Sequence, residues 1–339
     1  MQYRNFGRTG VKISPLSLGG WTFGDRTSAE DAYRMVAHAI EAGINCFDTA
    51  NIYQRGVSEE ILGEAICRSG RRESLFLSTK LRGRMNDLDP NAQGLSRKHI
   101  IAACEASLRR LKTDYIDLYQ AHRQATDTAV DEMLRAFDDL IRAGKVRYVG
   151  TSTFAAWQIV DALWASKEHH LHRFVSEQPP YSILDRRIER ELIPMAQSYG
   201  LAILPWSPLA GGMLTGKYQS KGTVPGDSRL NDEKSNAAKL LKQKTGDETA
   251  VKVIEALLPI ANDKGCTLGQ LSLAWCVHQP GITSPIMGPR NLEQLQDNLR
   301  ALDIAITPED CRRVDAIVAP GSVTIPYYDS DFGPNRYHW

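Results

Sequence analysis

Leu75-Phe76-Leu77-Ser78-Thr79-Lys80 is a short apolar run with a polar end, and it opens the segment that decides the fold. A helical pattern follows it. From Ser96, a candidate N-cap, apolar residues recur at three- and four-residue steps as far as Leu111. The next run is Tyr115-Ile116-Asp117-Leu118-Tyr119. Strand, helix and strand in this order predict a βαβ unit, and therefore two parallel strands in one sheet.

The same alternation extends in both directions along the chain. Short apolar runs typical of buried strands also occur at 15–18, 45–48, 146–150, 174–176, 201–206 and 284–287. Glycines at 43, 144 and 200 stand where the intervening helices should stop. About eight βα units result, and eight such units close into a (β/α)₈ TIM barrel. A doubly wound open sheet is disfavoured because no GxGxxG opens a helix anywhere in the chain.

Domain organisation follows from length and composition. The chain has 339 residues, of which 42% are hydrophobic, and no shift in composition marks a second domain. We therefore expect one α/β barrel domain over residues 1–339. A polar stretch at about 211–249 predicts a long loop on the cofactor side, after the seventh strand. The tail, 320–339, is strongly aromatic, so we expect it to pack over the barrel mouth or on a neighbouring subunit.

Charge and cysteine content argue against several classes of partner. The formal net charge is +1 with both signs mixed, which predicts neither a nucleic-acid nor a membrane partner. The six cysteines are scattered without a CxxC, which favours buried thiols over a disulfide framework or a metal site. No apolar run approaches the roughly 18 residues of a membrane span, so we expect a cytoplasmic protein. The oligomeric state stays open, and a homo-oligomer is one outcome.

Four polar residues lie at or just after the predicted strand ends, where barrel enzymes hold their active sites: Asp48, Tyr53, Lys80 and His122. Each taken alone is more often structural, because strand-end aspartates cap helices and single histidines or tyrosines usually pack. It is much less expected by chance that all four lie at the mouth of one barrel.

Carbonyl reduction explains why these residue types would belong together. It needs a hydride at carbon and a proton at oxygen. A tyrosine has an ordinary pKa of about 10, and a nearby ammonium favours its phenolate. A buried lysine in turn needs a carboxylate. We therefore predict Tyr53 as the acid, Lys80 as its partner, Asp48 as the anchor of Lys80, and His122 as the group that orients the carbonyl.

The motifs around these residues run in order along nearly the whole chain: Asp48-Thr49-Ala50-Asn51-Ile52-Tyr53, Ser78-Thr79-Lys80, Tyr115 to Arg123, Gly150-Thr151-Ser152, Glu177-Gln178-Pro179-Pro180-Tyr181, Pro205-Trp206-Ser207-Pro208-Leu209 and Met287-Gly288-Pro289-Arg290-Asn291. As a set they resemble the aldo-keto reductase superfamily. Within it, they are most similar to the bacterial general-stress reductases and the potassium-channel β-subunit group. The resemblance implies NADPH-dependent reduction of an aldehyde or ketone to an alcohol.

The resemblance also implies a cofactor site. NAD(P)H would extend across the barrel mouth without a Rossmann motif. The implied contacts are Ser152, Gln178 and Trp206 around the nicotinamide; Ser207, Leu209, Gly211 and Lys217 along the pyrophosphate; and Arg290, Gln294 and Asn298 toward the adenosine. Four further residues are implied as cofactor contacts: Gly20, Trp21, Pro208 and Gly288. A guanidinium at 290 suits the 2′-phosphate, so we expect NADPH ahead of NADH. The family often has Asn where Thr153 and Ser182 stand here, and the first departure weakens a carboxamide contact.

The predicted substrate contacts are Trp21, Tyr53, His122, Arg123 and Phe154. Together with Phe23, Trp157 and Arg82, the aromatic and cationic residues allow two interpretations. One is loop packing with solvated charge. The other is an aromatic pocket with a cationic rim, suited to sugars or to aldehydes that carry a negative group.

Three other functions remain in view. A sugar or polyol dehydrogenase would run the same chemistry in the oxidative direction. A cofactor-sensing binding module is the alternative of a different class, since channel β-subunits share this scaffold. A metal-dependent hydrolase would need paired His and Asp ligands at strand ends, whereas His169 and His170 sit in a polar helix-end stretch and should face solvent.

Overall fold

Strands and helices alternate in the computed structural model, which describes residues 1–216 and 247–325. The strands are β1 (Arg4–Asn5), β2 (Lys12–Ile13), β3 (Ser17–Gly19), β4 (Cys46–Asp48), β5 (Phe76–Leu81), β6 (Ile116–Ala121), β7 (Val146–Ser152), β8 (Phe174–Gln178), β9 (Ala202–Ile203) and β10 (Ile286–Met287). The helices are α1 (Ala29–Glu41), α2 (Val57–Ser69), α3 (Arg97–Leu111), α4 (Val130–Arg142), α5 (Ala156–Glu168), α6 (Leu192–Tyr199), α7 (Glu248–Asp263), α8 (Leu268–His278), α9 (Leu292–Leu299) and α10 (Pro308–Ile317).

β3 to β10 form one parallel eight-stranded sheet, in which the strands from β3 to β9 pair successively in chain order. β10 also pairs with β3, so the last strand meets the first. Trp206, just beyond β9, forms a parallel bridge with Ile286 of β10. The Ile286 N–H donates to the Pro205 carbonyl at 2.7 Å. These contacts link the end of β9 to β10 and so close the sheet on itself. The predicted (β/α)₈ TIM barrel is confirmed.

Three predicted strands that contain a proline are shorter in the structure than the apolar runs that indicated them. The run at 201–206 yields only Ala202–Ile203, 284–287 yields Ile286–Met287, and 15–18 yields Ser17–Gly19. Each run contains a proline, at 205, 285 and 15 respectively. Proline has no N–H to donate to a neighbouring strand, so regular pairing stops or begins beside it.

Helix ends follow the local sequence signals. The Ser96 hydroxyl accepts from the backbone N–H of His99 at 3.3 Å, which caps the first turn of α3. α1, α4 and α6 end one or two residues before Gly43, Gly144 and Gly200, as predicted. α9 begins after Asn291, whose side chain accepts from the Gln294 N–H at 2.9 Å.

The antiparallel pair β1–β2 closes the end of the barrel at which the strands begin. Phe6 and Ile13 are fully buried there against the first inward residues of several strands. The Phe6 and Phe76 rings, for example, lie 4.8 Å apart between centroids. The N-terminal segment therefore seals the end opposite the polar strand termini.

The predictions for the cysteines and for two histidines agree with the structure only in part. Cys46, Cys104 and Cys276 are buried as predicted, but Cys67 is exposed on α2 and the other two cysteines, Cys266 and Cys311, are half-buried. His169 and His170 are exposed. Within residues 1–216 and 247–325, no His, Cys, Asp and Glu group could hold a metal, and no helix is long and apolar enough to cross a membrane.

Candidate active site

The inward faces of the central strands change from apolar to polar toward the mouth of the barrel. Side chains of a strand alternate between its two faces, so every second residue points inward. In order toward the mouth, the inward residues are Phe76, Ser78 and Lys80 of β5; Leu118 and Gln120 of β6, then His122; Tyr148, Gly150 and Ser152 of β7; and Ser176 and Gln178 of β8. The polar side chains of successive strands therefore converge at one end.

Asp48 and Lys80 form a buried ion pair at this end. The Lys80 ammonium is 0% exposed and donates to Asp48 Oδ2 at 2.5 Å and to the Thr49 carbonyl at 2.7 Å. Burial alone would lower the pKa of Lys80, but Asp48 and Tyr53 together outweigh it and hold that pKa above its ordinary value. Lys80 is therefore charged at neutral pH, as the predicted chemistry requires.

The other carboxylate oxygen of Asp48 accepts hydrogen bonds from neutral side chains. Its Oδ1 accepts from the Ser78 hydroxyl at 2.9 Å and from Gln178 Nε2 at 3.0 Å. Gln120 Nε2 donates to the Ser78 oxygen at 2.8 Å, which directs the Ser78 proton toward Asp48. The carboxylate is thus fixed in rotation, with Oδ2 turned to Lys80.

Tyr53 is held above Lys80 by a strained loop. The backbone N–H of Asn51 donates to the Lys80 carbonyl at 3.0 Å, which pins the loop after β4 to the end of β5. The turn after Tyr53 then passes through Gln54 and Arg55, whose φ angles of 46° and 53° are uncommon for residues with a side chain. The Lys80 ammonium lies 5.1 Å from the centroid of the Tyr53 ring.

His122 completes the predicted group of four. Its ring meets the Tyr53 ring edge to face, with centroids 5.6 Å apart and planes at 80°. Burial and the positive charges of Lys80, Arg123 and Arg82 hold the pKa of His122 well below its ordinary value. The imidazole is therefore neutral at physiological pH. A neutral ring presents one N–H donor and one acceptor nitrogen.

Arg123 lies between His122 and the residues expected around the nicotinamide. Its Nη1 donates to the His122 carbonyl at 2.7 Å and to Thr153 Oγ1 at 2.9 Å. Trp206 Nε1 donates to the same Thr153 oxygen at 3.3 Å, and the guanidinium lies 5.7 Å from the Trp206 ring centroid. Thr153 has a φ of 59°, a conformation that asparagine adopts far more readily than a β-branched residue.

Glu177 is a buried carboxyl next to the turn that carries Thr153, and no sequence pattern indicated its role. It is 0% exposed and accepts from the Thr151 hydroxyl and, at 3.1 Å, from the Phe154 N–H. Burial raises the pKa of Glu177 to about 7, although these donors, the Thr153 N–H and the charge of Arg123 offset part of the effect. The carboxyl fixes the turn that carries Ser152 and Thr153.

The loops after β9 and β10 form the side of the mouth that would receive phosphates. The chain after Ser207 enters a short 3₁₀ segment, Ala210–Thr215, in which Gly211 and Gly212 have φ angles of 67° and 100°. Such angles favour glycine, and the Gly212 N–H donates to the Leu209 carbonyl at 2.9 Å within the turn. Loops after the seventh and eighth strands and a nearby helix N-terminus are the usual phosphate site of this architecture.

Arg290 lies on that side, directly before α9. It is half-buried, its N–H donates to Gln294 Oε1 at 3.0 Å, and its carbonyl accepts from the Thr27 hydroxyl at 3.0 Å. Asn298 is only 9% exposed, and Gly288 is open enough that an added Cβ would meet nothing within 4 Å among the described residues.

The remaining predicted contacts differ in accessibility. Trp21 is 37% exposed beside buried Gly20, whereas Phe154 is 5% exposed and Phe23 is fully buried. Trp157 faces outward on α5. An aromatic pocket would therefore rest on Trp21 and Trp206. Lys217, most of the 211–249 loop and the tail from 326 onward lie outside the described residues.

Ser78 and Gln120 are site residues that the strand-end rule missed. They lie two positions before Lys80 and His122, on the same inward face of their strands. The period-two alternation of a strand could have found them, because a polar residue two positions before an inward polar strand end also points into the barrel. Glu177 carried no such signal, since its neighbour Gln178 is the inward residue.

Comparison with known proteins gives consistent matches over the whole length. The model of the aldo/keto reductase family matches residues 15–319. The chain is 40% identical over 323 residues to a probable voltage-gated potassium channel subunit beta of Oryza sativa subsp. japonica, covering 94% of this chain and 97% of the relative. It is 37% identical over 357 residues to the uncharacterized oxidoreductase YrpG of Bacillus subtilis (strain 168), with both chains covered fully. A putative voltage-gated potassium channel subunit beta of Schizosaccharomyces pombe is 37% identical over 331 residues, 96% of this chain and 95% of its own.

Proposed function

The chain belongs to the aldo/keto reductase family, and we propose that it is an NADPH-dependent enzyme that reduces an aldehyde or ketone to an alcohol. The observation that carries the proposal is the group of Tyr53, Lys80, Asp48 and His122 at the mouth of the barrel. The partner of the protein is then a small carbonyl compound, and Tyr53 is the residue that delivers the proton.

The residues around the mouth fit a nicotinamide cofactor. Ser152 and Gln178 would hold its carboxamide, Trp206 would lie against its ring, and the glycine turn at 211–212 and Arg290 would take its phosphates. Asp48 holds Gln178 Nε2 at 3.0 Å, so Gln178 offers its carbonyl oxygen to a carboxamide N–H. When bound, the reduced cofactor supplies the hydride. Arg290 favours NADPH because a guanidinium pairs strongly with a phosphate dianion.

Proton delivery falls to Tyr53. Its half-buried side chain opens to the mouth, and the charged Lys80 lies beneath its ring. A developing phenolate on Tyr53 is stabilised by this ammonium, which lowers the barrier to releasing the phenolic proton to the carbonyl oxygen. Asp48 keeps Lys80 charged and in place at 2.5 Å. Gln120 and Ser78 orient Asp48 without reaching the mouth themselves.

His122 contributes as a neutral donor. With its pKa well below the ordinary value, it does not compete with Tyr53 as an acid at neutral pH. A neutral imidazole can still donate one N–H to the carbonyl oxygen and align it for attack. The edge-to-face contact with Tyr53 places both donors on the same side of the mouth.

The direct test is NADPH oxidation by the purified protein against a panel of aldehydes and ketones. We expect loss of the nicotinamide absorbance with at least one carbonyl and formation of the matching alcohol. Cofactor binding without turnover on any member would contradict the proposal. Running the reaction backward, with NADP⁺ and sugars or polyols, tests the dehydrogenase alternative that shares this chemistry.

A second candidate function comes from the names of two of the relatives, which are described as voltage-gated potassium channel subunits beta. On that reading the chain would bind the cofactor and report its redox state to a partner. The complete set of Tyr53, Lys80, Asp48 and His122 favours turnover instead, because a sensor without chemistry has no need of a charged lysine buried beneath a tyrosine.

A further inference from the structure

Two large aromatic side chains lie on the outside of α5, on the face that points away from the barrel. Trp157 is 53% exposed and Trp164 is 62% exposed, more than any other tryptophan among the described residues. Seven residues separate them, so they lie on one helix face, about 10 Å apart along the axis. The opposite face of α5, with Ile159 and Leu163, packs into the core. α5 therefore carries apolar side chains on both faces.

The neighbouring helix α4 shows a more usual outer face for this barrel. Its side chains away from the core are charged, and Glu132, Arg135 and Arg142 are all exposed. A single exposed apolar residue is common on protein surfaces, but apolar residues grouped on one face mark a site of interaction. Tryptophan is also one of the residues enriched where proteins contact each other. The outer face of α5 therefore has the character of an interface.

Two charged side chains flank Trp164 at equal distances. Asp161 lies three residues before it and Lys167 three residues after it, and both are exposed. The Lys167 ammonium lies 5.4 Å from the centroid of the Trp164 ring. Within residues 1–216 and 247–325, neither Asp161 nor Lys167 forms an ion pair. The face thus presents an acid, an indole and a base in a row.

A second copy of the same face complements this row. When two identical helices pack antiparallel across a two-fold axis, each residue meets the one equally far beyond the axis. An axis at Trp164 stacks the two indoles and places Asp161 opposite the partner's Lys167. An axis midway between the tryptophans would instead bring the two Asp161 carboxylates together, where they repel. Charge complementarity therefore selects the axis at Trp164.

We propose that α5 is a dimerisation face of this protein, which packs antiparallel against α5 of a second copy with Trp164 at the two-fold axis. The two tryptophans expose on the order of 250–300 Å² per copy, about a third of what each partner buries in a standard interface. They form its apolar centre, and the two Asp161–Lys167 pairs set the register. Trp157 lies near the C-terminal end of the partner's α5. This face is outside the barrel, so its test does not depend on the reductase function.

Charge reversal tests the arrangement because it can be undone by a second substitution. Sedimentation velocity over a dilution series should show that the wild-type chain is a dimer, or a larger even-numbered particle, which Trp164→Glu splits in half. Asp161→Lys alone and Lys167→Asp alone each turn two attractions into repulsions, so each should raise the dissociation constant of the interface about tenfold. The double variant carries opposite charges again and should return to within about threefold of the wild type.

The matched control is Arg312→Glu, a charge reversal on the exposed face of α10, which should leave the dissociation constant unchanged. Circular dichroism checks that each variant is folded. A wild-type chain that stays monomeric would mean that another protein or another segment of this chain covers the face, and would overturn the proposal. An assembly that Trp164→Glu leaves intact would do so too. Failure of the double variant to recover the loss seen in the single variants would contradict the antiparallel arrangement and, with it, the proposal.

Discussion

Gln178 and Asp48 are joined across the barrel by a hydrogen bond of 3.0 Å from Nε2 to Oδ1. They come from β8 and β4, which do not pair with each other in the sheet. The contact ties the residue that anchors Lys80 to the residue expected to bind the nicotinamide carboxamide. In the proposed reaction, proton delivery and cofactor orientation would therefore depend on one carboxylate.

The proposed role of Gln178 in cofactor binding can be measured. Replacing Gln178 with Leu removes the carboxamide acceptor and one donor to Asp48, while Ser78 and Lys80 still hold the carboxylate. We expect the Kd for NADPH, measured by fluorescence titration, to rise about fivefold, since one hydrogen bond contributes roughly 1 kcal/mol. An unchanged Kd would show that the carboxamide binds elsewhere.

Substitution of Asp48 should destabilise the fold more than substitution of Lys80. In Asp48→Asn the ammonium stays buried and loses its counter-charge, keeping only neutral acceptors such as the Thr49 carbonyl, so we expect a loss of about 3–5 kcal/mol in the free energy of unfolding. In Lys80→Met the carboxylate keeps Ser78 and Gln178, and the loss should be smaller. Urea unfolding of both variants tests the order, and a larger loss in Lys80→Met would refute it.

Glu177 should give the fold a distinctive dependence on pH. Its pKa is raised from 4.5 to about 7, so the folded state holds the proton more tightly than the unfolded state. Its contribution to stability is therefore greatest below pH 4.5 and is lost as the pH rises through 7. Between these limits, the wild type should lose on the order of 2–3 kcal/mol relative to Glu177→Gln. Parallel unfolding curves of the two proteins across this range would contradict the assignment.

Arg290 should determine the choice between the two nicotinamide cofactors. Arg290→Ala removes a charge-assisted contact to the 2′-phosphate, which NADH lacks, so the KM for NADPH should rise about tenfold or more while that for NADH changes little. Steady-state kinetics with both cofactors is the measurement. Equal changes in the two values would remove the basis for preferring NADPH.

The barrel was predictable because its two signals are strong and local. Short apolar runs such as 75–80 and helical periodicity such as that after Ser96 alternate along the chain, and alternation of this kind favours a parallel sheet. Boundaries were less predictable where Pro205 and Pro285 interrupt apolar runs. Apolar composition reports burial, whereas a strand also needs an N–H at each pairing position.

Only the site residues at the strand ends, nearest the mouth of the barrel, were predicted from the sequence. Lys80 and His122 were found because strand ends mark the mouth of a barrel, but Ser78 and Gln120 lie one layer deeper and required the period-two rule. The role of Glu177 depends on which backbone N–H groups fold over it, and these belong to the turn after β7. Contacts of that kind join distant parts of the chain, so no local pattern indicates them.

The account depends most directly on Tyr53 as the proton donor, and Tyr53→Phe isolates that role because it removes one oxygen and keeps the ring over Lys80. The measurement is kcat for carbonyl reduction, paired with the Kd for NADPH of the same variant. We predict a loss of kcat of about 100-fold or more with the Kd nearly unchanged. A variant that still reduces carbonyls at close to the wild-type rate would contradict the central claim.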